Sequence, residues 1–287
     1  MTDEDRAARS AGTAPAASRP GDPHASMLGG ARVLVTRGGA AGERDAAEVR
    51  ARGGLPVQAP LTEIAPPSDP APLEAAAAAW NRGEYEWLLV TSANAADAFA
   101  AAGAAAPEAS RPGDPRVAAV GPATADALRA RGFDPALAPS SDYSAVGLVE
   151  ALLELPTDAA LRFLLPVSEL ADRTLETALE RAGHRVDRVT AYRTLPAPRD
   201  TSVEASVRAG EVDVILVLSA SGAREVARRF APLPPGVRLA AIGAPSGRAL
   251  AEHGLAADVI ADPHTVSNLL DRVSHALFPS TPGGRPA

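Results

Sequence analysis

Apolar and polar positions along the chain fall into short apolar runs and longer stretches with helical spacing. Residues 87–91 and 212–218 are largely apolar runs of the length that buried strands have. Each run leads into Thr, Ser or Gly and then into a segment where apolar residues recur three or four positions apart. This unit of strand, small-residue turn and helix recurs six times, which predicts parallel β-sheets covered by helices.

The six units form three related pairs. The pairs are 87–98 with 214–225, 117–133 with 239–255, and 32–54 with 162–184, of which the last is the weakest. The second pair aligns without a gap and shares two glycines and a leucine, at Gly121/Gly243, Gly132/Gly254 and Leu128/Leu250. Along the chain, units a (32–54), b (87–98) and c (117–133) are followed by their counterparts a′ (162–184), b′ (214–225) and c′ (239–255), and this order predicts two similar α/β domains.

The same pattern predicts the bounds of most elements. Strands are predicted at 32–36, 87–91, 116–120, 162–166, 212–218 and 238–242. Helices are predicted at 40–52, 71–82, 122–131, 144–153, 170–182, 201–209, 222–229, 246–253 and 265–277, with Ser144 and Thr265 as N-caps. We expect a low-complexity linker at 101–115, a disordered leader at 1–28 and a loose tail at 280–287, with Met27 as an alternative start.

Two extended stretches with flanking prolines stand apart from the repeat. Residues 57–65 follow unit a, and residues 186–196 follow unit a′. Two such connector strands indicate that the chain crosses between the domains twice. We therefore predict a discontinuous first domain of 29–56 plus 197–279 and a second domain of 66–185. It follows that the first strand shares a sheet with the strands of b′ and c′.

The turns between strands and helices predict the kind of ligand. Helix N-termini carry unpaired N–H groups and the positive end of the helix dipole, so they attract anions. Ligands of open parallel sheets bind at the carboxyl ends of the strands, where these turns lie. We therefore expect an anionic ligand in a cleft between the two domains.

Composition excludes several kinds of chemistry. The chain has no cysteine and no lysine, which excludes thiol nucleophiles, disulfides, Schiff-base lysines and Walker-type phosphate loops. Its five histidines lack metal-ligand spacing. A net charge of −7 and an aromatic content of 3% argue against a nucleic-acid partner. No run of about 20 apolar residues occurs, so we expect no membrane partner and a cytoplasmic location.

Five segments stand in the order and spacing of a known enzyme family. They are VLVTR at 33–37, WLLVTSANA at 87–95, VGPATA at 120–125, AYRT at 191–194 and AIG at 241–243. Over residues 31–278 the chain resembles uroporphyrinogen-III synthases. The resemblance implies two flavodoxin-like parallel-sheet α/β domains, joined by a two-stranded connector and formed by an interleaved chain.

The resemblance also implies an activity. Enzymes of this family cyclise hydroxymethylbilane, a linear tetrapyrrole with eight carboxylates, to uroporphyrinogen III, with loss of water and inversion of ring D. They use no metal or organic cofactor, so none is expected here. The upstream bilane synthase, which supplies the substrate, is a candidate partner.

Tyr192 is the candidate catalytic residue, because its phenol can donate a proton to the departing hydroxyl. Eight residues at or near predicted strand ends are candidates for substrate binding: Arg37, Ser92, Asn94, Thr124, Arg173, Ser219, Ser221 and Ser246. Structural alternatives stay open, since Tyr192 could pack between the domains and Thr124 could cap its helix. Around Ser246 the segment GAPSG departs from the family's usual pattern, and Val167 stands where a basic residue is frequent, for which Arg173 could compensate.

Two other functions remain open from the residues alone. A non-enzymatic two-domain binding protein that closes on an anionic small molecule would share the helix starts but would need no acid such as Tyr192. A nucleotide-binding regulator of flavodoxin-like fold is disfavoured by the acidic net charge and by the absence of a G-x-G-x-x-G fingerprint.

Overall fold

The structure is a computed structural model that describes residues 27–107, 115–155 and 159–277. Within these residues the chain forms two α/β units. Unit 1 comprises the described residues up to Leu61 and those from Pro198 onward, and unit 2 comprises those of Thr62–Ala197. The predicted leader, apart from its last two residues, and the predicted tail lie outside the described residues.

Helices and strands alternate along most of the chain. In chain order they are β1 (Arg32–Val35), α1 (Gly39–Ala51), β2 (Leu55–Gln58), β3 (Thr62–Ala65), α2 (Ala71–Asn81), β4 (Trp87–Val90), α3 (Ala93–Ala101), β5 (Arg116–Ala119), α4 (Pro122–Arg129), α5 (Ala145–Leu153), β6 (Arg162–Ser168), α6 (Thr174–Arg181), β7 (Arg185–Pro196), α7 (Thr201–Arg208), β8 (Val214–Val217), α8 (Ala220–Phe230), β9 (Arg238–Ala241), α9 (Ala244–Ala251), β10 (Val259–Ile260) and α10 (Val266–Leu277).

The sheet of unit 1 is parallel throughout and has the order β10-β9-β8-β1-β2. Val33 pairs with Val214 and with Pro56, so β1 lies between β8 and β2. The first strand thus shares a sheet with the strands of b′ and c′, as the crossing pattern predicts. Numbered within the unit, the order is 2-1-3-4-5, which is that of flavodoxin-like folds.

The sheet of unit 2 repeats this order with one addition. Its order is β3-β7-β6-β4-β5, in which β7, β6, β4 and β5 correspond to β2, β1, β8 and β9 of unit 1. A bridge between Ala118 and Leu137 stands where β10 lies in unit 1. The addition is β3, which pairs antiparallel with the last four residues of β7. Two parallel α/β domains are therefore confirmed.

Each sheet is covered on both faces, which explains why its central strands are apolar throughout. Every residue of β4 and of β8 is buried. Leu88 of β4 packs with Phe99 of α3 on one face, and Leu89 packs with Leu148 of α5 on the other. Parallel strands buried on two faces have continuous apolar sequences. Each such leucine contributes about 1.5–3 kcal/mol through burial.

The predicted leader extends two residues too far. Met27–Gly30 form a turn before β1, in which the Leu28 N–H donates to the carbonyl of Arg52 at 2.9 Å. The Leu28 side chain has no exposed surface and packs with Val33 and Val49. The average composition of the predicted leader gave no sign of this contact with the core, because a single buried leucine is enough to attach a polar segment to a core. Residues 27 and 28 belong to unit 1.

The first predicted connector is not a single strand. Of residues 57–65, the first two end β2 at the edge of the unit 1 sheet, and the last four form β3 in unit 2. Ala59 and Leu61 between them are buried in the core of unit 1. Burial of these two side chains therefore assigns residues up to Leu61 to unit 1, and only the last four residues of the predicted connector to unit 2. The second predicted connector, 186–196, is most of β7, a strand of the unit 2 sheet.

Arg229 of α8 binds both points where the chain crosses. Its side chain is 2% exposed and donates to the carbonyls of Leu61 at 3.0 Å and Pro198 at 3.4 Å. It also pairs with Glu225 at 2.9 Å, so its buried charge is compensated. The chain leaves unit 1 directly after Leu61 and returns at Pro198.

The predicted Ala/Pro linker at 101–115 does not separate the units, since both of its ends lie in unit 2. Two hydrogen bonds fix its first part. Trp80 Nε1 donates to the Ala105 carbonyl at 2.9 Å, and the Ala105 N–H donates to Asn81 Oδ1 at 2.8 Å. Residues 108–114 lie outside the described residues.

Candidate functional site

The predicted site residues of unit 1 lie at the carboxyl ends of neighbouring strands. Arg37 follows β1, and Ser246 follows β9 in the first turn of α9. Ser219 and Ser221 lie between them, at the start of α8 after β8. Because the sheet order is β9-β8-β1 and the strands are parallel, all four residues share one edge of the sheet.

The same edge of unit 2 carries the other candidates. Ser92 and Asn94 lie at the start of α3 after β4, and Thr124 lies in α4 after β5. Arg173 precedes α6, and Tyr192 lies in β7. Their strands are neighbours in the order β7-β6-β4-β5. Each unit thus gathers its predicted site residues at the carboxyl ends of its strands.

Ser92 and Tyr192 are in direct contact. The Ser92 side chain is the N-cap of α3 and accepts a hydrogen bond from the Ala95 N–H at 3.1 Å. The same oxygen lies 3.2 Å from the Tyr192 hydroxyl. Tyr192 is 9% exposed, and its carbonyl accepts from the Glu169 N–H at 3.0 Å, which fixes its strand. The structure therefore joins a helix start to the one phenol that the sequence singled out.

This contact has two possible proton arrangements. Either hydroxyl can donate to the other. If Ser92 donates, its oxygen still accepts from the helix N–H, and the phenolic proton of Tyr192 is free for another acceptor. If Tyr192 donates instead, Ser92 holds that proton. The first arrangement is the one that suits a proton donor.

Unit 1 completes the equivalent helix start in another way. Ser219 is the N-cap of α8 and accepts from the Gly222 N–H at 3.0 Å. Its oxygen lies 3.0 Å from the hydroxyl of Ser221, the second residue of the same helix. Both contacts are local, so this helix start offers hydroxyls and N–H groups, and neither contact brings in a residue from another strand.

Thr124 and Ser246 occupy equivalent positions and do not cap their helices. The N-caps are Gly121 and Gly243, which makes both residues the third of their helices and excludes the predicted capping role of Thr124. The two glycines share an extended backbone, with φ of 178° and 176°, so Pro245 does not disturb the geometry. Thr124 is 5% and Ser246 is 3% exposed, and neither hydroxyl has a hydrogen-bond partner among the described residues.

Arg37 lies two residues beyond the end of β1, and its side chain is 42% exposed. Its Nε atom is 3.5 Å from Asp45 Oδ2 of α1. Asp45 is buried, and burial raises the pKa of its carboxyl, although Arg37 and Arg44 act in the opposite direction. Sequence analysis did not single out Asp45, since a lone acidic residue in an amphipathic helix gives no signal of burial.

Arg173 is occupied by Glu176, a residue in the first turn of the helix that it precedes. Its guanidinium donates to both carboxylate oxygens of Glu176, at 3.0 and 2.5 Å, and this bonding raises the Arg173 pKa. A pocket of about 720 Å³ is lined by Ala171, Arg173, Glu176, Val186, Asp187 and Arg188. An anion at Arg173 would have to share the guanidinium with Glu176. Asn94 is exposed at the second position of α3, and its side chain makes no hydrogen bond within the described part of the chain.

The described residues contain neither a cluster of potential metal ligands nor a helix that could span a membrane. Nowhere in residues 27–107, 115–155 and 159–277 do three or more His, Cys, Asp or Glu side chains gather as metal ligands would. No helix in the same ranges is long and apolar enough to cross a membrane.

Comparison with known proteins identifies the family. The family model described as uroporphyrinogen-III synthase HemD matches residues 43–271. The chain belongs to the uroporphyrinogen-III synthase family. The matched range includes every predicted site residue except Arg37, which lies before it.

Relatives of the uroporphyrinogen-III synthase family agree with this assignment. A curated uroporphyrinogen-III synthase from Synechococcus elongatus is 35% identical over 164 residues, which cover 57% of this chain and 60% of that protein. The aligned region therefore spans less than two thirds of that relative. A crystal structure of a mutant uroporphyrinogen III synthase from Thermus thermophilus covers 86% of this chain and is itself covered to 98%, with a TM-score of 0.57 and 22% identity. A crystal structure of uroporphyrinogen-III synthetase from Helicobacter pylori covers 84% of this chain and is covered to 96% of its own length, with a TM-score of 0.54 and 16% identity. These two structures support the fold.

Sequence analysis missed two aromatic side chains, Tyr143 and His264, that pack against the N-cap glycines of α4 and α9. A Cβ on Gly121 would lie 3.0 Å from Tyr143 Cβ, and a Cβ on Gly243 would lie 2.8 Å from His264 Cδ2. Each ring thus packs on the glycine that begins α4 or α9. Tyr143 and His264 both directly precede predicted N-caps, Ser144 and Thr265, whose capping bonds are present. Extending the repeat by one residue before each cap would have found them.

Proposed function

We propose that this chain is a uroporphyrinogen-III synthase, which converts hydroxymethylbilane to uroporphyrinogen III and water with inversion of ring D. Membership of the family over residues 43–271 is the observation that carries the proposal. The arrangement of hydroxyls at the carboxyl ends of both sheets supports it, because the substrate is a polyanion and needs many hydrogen-bond donors.

Binding is assigned to the eight predicted residues and to the helix N–H groups beside them. Each helix N-terminus contributes about 0.3–1 kcal/mol to an exposed anion and up to about 2 kcal/mol to a partly buried one. Arg37 adds a charged donor beside the helix starts of unit 1, and a charge-assisted hydrogen bond is stronger than a neutral one. Several such contacts can hold a polyanion on a chain whose net charge is −7.

Tyr192 is assigned the proton transfer. Its phenol donates a proton to the oxygen of the hydroxymethyl group, the carbon–oxygen bond breaks, and the oxygen leaves as water. Ring closure then releases a proton from the attacked pyrrole carbon, which restores the phenol. The hydrogen bond from Ser92 to the phenol oxygen would stabilise the developing phenolate, because the Ser92 hydroxyl lies 3.2 Å from it.

The proposal includes a cytoplasmic location and delivery of the substrate by the upstream bilane synthase. Hydroxymethylbilane closes without a catalyst to the type I isomer, so rapid transfer between the two enzymes would limit that loss. A coupled assay tests this point. If delivery is direct, unlabelled hydroxymethylbilane in solution should not dilute labelled type III product formed in the presence of both enzymes.

One assay tests the function itself. Purified protein is treated with a chelator, supplied with hydroxymethylbilane and stopped with an oxidant, and the porphyrin isomers I and III are separated. We expect the type III isomer at a rate proportional to the protein concentration. Formation of type I alone would refute the activity, and tight binding without type III product would favour a non-enzymatic binding protein.

A further inference from the structure

Asp45 is the exception among the buried carboxylates of this chain. Among the described residues, its Oδ2 is the one side-chain nitrogen or oxygen atom that has almost no solvent-accessible surface of its own and no hydrogen-bond partner. Glu176, Glu204 and Glu225 are also buried, but each accepts at least two hydrogen bonds from arginine. A buried carboxylate oxygen without a hydrogen bond is costly, so its presence in a native fold calls for an explanation, of which a functional role is one.

The backbone brings Asp45 and Arg37 together. A Cβ on Gly42 would lie 2.1 Å from the Arg37 carbonyl oxygen, so only glycine lets the first turn of α1 pack this closely on the end of β1. The Gly42 N–H also donates to the Gly38 carbonyl at 3.1 Å. Asp45 follows Gly42 by three residues, nearly one helical turn, and therefore faces the same strand end. This places its Oδ2 3.5 Å from Arg37 Nε.

Only one side of the Arg37 guanidinium meets Asp45. The contact is through Nε, and the distance and angles do not make a hydrogen bond. The two terminal nitrogens of Arg37 donate no hydrogen bond to any described residue, and the side chain is 42% exposed. These nitrogens form the fork with which arginine binds a carboxylate through two parallel hydrogen bonds.

We propose that Asp45 is a positioning residue, which holds Arg37 through Nε so that its terminal nitrogens take up one carboxylate of the substrate. The inference rests on the proposed function. Asp45 contacts no substrate atom. It reduces the number of conformations that Arg37 must lose on binding, and a long basic side chain has many to lose.

The test is a double-mutant cycle of Asp45→Asn and Arg37→Gln. We expect Arg37→Gln to raise KM for hydroxymethylbilane about tenfold or more, through loss of charge-assisted hydrogen bonds. Asp45→Asn should raise KM about threefold to tenfold by releasing Arg37, with kcat unchanged. In the Arg37→Gln background, Asp45→Asn should have no further effect on KM.

A structural role alone would give a different pattern. Asp45→Asn removes a buried charge and should leave the melting temperature unchanged or higher, so a rise in KM cannot come from unfolding. The matched control is Glu225→Gln in the same unit, which should lower the melting temperature and leave KM unchanged. A KM that is unchanged or lower in Asp45→Asn would overturn the proposal, as would an effect that persists undiminished without Arg37.

Equilibrium binding separates this inference from the proposed function. Uroporphyrin I, a stable porphyrin with eight carboxylates, can be titrated by fluorescence against the same four proteins. The dissociation constant should follow the pattern expected for KM. If wild-type protein forms no type III isomer but the effects of the two substitutions on uroporphyrin I binding are non-additive, the synthase activity is refuted and the positioning of Arg37 by Asp45 is supported. If the isomer forms but the two effects are additive, only the positioning of Arg37 by Asp45 is refuted.

Discussion

Units 1 and 2 begin an equivalent helix after an equivalent strand but surround that helix start differently. Ser92 and Ser219 are both N-caps and accept from an N–H three residues on, at 3.1 and 3.0 Å. In unit 2 the Ser92 oxygen also meets Tyr192 of another strand, whereas in unit 1 the Ser219 oxygen meets Ser221 of the same helix. One edge therefore has a phenol beside its helix start and the other does not.

The interleaved chain explains this difference. Counting on without a gap from the pair 32–54 and 162–184, Thr62 is the counterpart of Tyr192. Thr62 lies in β3 of unit 2, opposite Pro196, because the chain leaves unit 1 directly after Leu61. At the position where unit 1 would have its own Tyr192 equivalent, the chain already belongs to the other sheet. Two similar folds thus present different groups at this edge, and under the proposed function unit 2 supplies a phenol for proton donation and unit 1 supplies the charge of Arg37.

The largest expected effect is structural and should be confined to unit 1. Leu28→Ala should lower the free energy of unfolding by about 2–5 kcal/mol, because a fully buried leucine leaves a cavity. Hydrogen exchange should accelerate in β8 and stay unchanged in β4. Leu55→Ala, at a leucine that is 57% exposed in the same unit, is the control and should have little effect. Equal acceleration in β4 would show that the units do not unfold separately.

The second effect should be confined to catalysis. Tyr192→Phe should lower kcat about tenfold to a hundredfold, since acid assistance is lost, with little change in KM. The low end of the usual range is expected because hydroxymethylbilane loses water readily. Steady-state kinetics with isomer analysis measures both constants.

Tyr85→Phe is the matched control for Tyr192→Phe. The Tyr85 hydroxyl donates to Asp187 at 3.0 Å in the same unit, and burial together with Asp187 raises its pKa to about 12. Removing it should cost about 1 kcal/mol of stability and leave kcat unchanged. A wild-type kcat in Tyr192→Phe would make Tyr192 a packing residue, and catalysis would then be assigned to substrate folding by the helix starts.

Much of the fold followed from local patterns, because apolar runs and small-residue turns identify strands and helix starts. The same patterns predicted that Ser144 and Thr265 are N-caps, and their capping bonds are present. The exclusion of Leu28 and the single connector at 57–65 were wrong, since both depend on which side chains are buried by distant residues. Burial of Ala59 and Leu61 in unit 1 cannot be inferred from their own sequence.

The candidate site shows the same limit. Strand ends were predictable, so the sequence could name Ser92 and Tyr192, but not their contact, which joins residues 100 positions apart. It also missed Asp45, because the close packing that Gly42 permits is visible only once the helix is placed against β1. Residue types predict what chemistry is available, and packing decides which groups meet.

Acid should destabilise unit 1 more than unit 2, because the two units differ in their buried carboxyl groups. In unit 1, hydrogen bonds from Arg199 lower the pKa of Glu204, and in Glu225 hydrogen bonds from Arg228 and Arg229 outweigh the opposing effect of burial. In unit 2, Asp172 has a lowered pKa, through the backbone N–H of Thr174. A carboxyl whose pKa is lower in the folded than in the unfolded state stabilises the folded protein fully above its unfolded pKa, which is about 4. This stabilisation is lost as the pH falls through the folded pKa.

We therefore expect acidification below about pH 5 to accelerate hydrogen exchange in β8 more than in β4. Asp45 acts with the opposite sign, since its raised pKa means that protonation on acidification relieves a buried charge, so Asp45→Asn should make the acid loss in unit 1 steeper. Replacing both Glu204 and Glu225 by glutamine should flatten the pH dependence of β8. A steeper response in β4 than in β8 would contradict the expectation.

The smallest expected effect tests the comparison of the two helix starts directly. Ser92→Ala, Ser219→Ala and Ser144→Ala each remove an N-cap and should each cost about 1 kcal/mol of stability. Only Ser92→Ala should also lower kcat, by about twofold to tenfold, because one hydrogen bond to the phenol is lost. Ser219→Ala should raise KM, and Ser144→Ala, which removes an equivalent N-cap in unit 2, should change stability alone.

The double variant Tyr192→Phe with Ser92→Ala tests whether Ser92 acts through Tyr192. Tyr192→Phe has no phenol to which Ser92 could donate, so the double variant should have the same kcat as Tyr192→Phe. A further fall of kcat in that double variant would mean that Ser92 acts on the reacting atoms directly and not through Tyr192, and the two units would then differ less than their hydrogen bonds indicate.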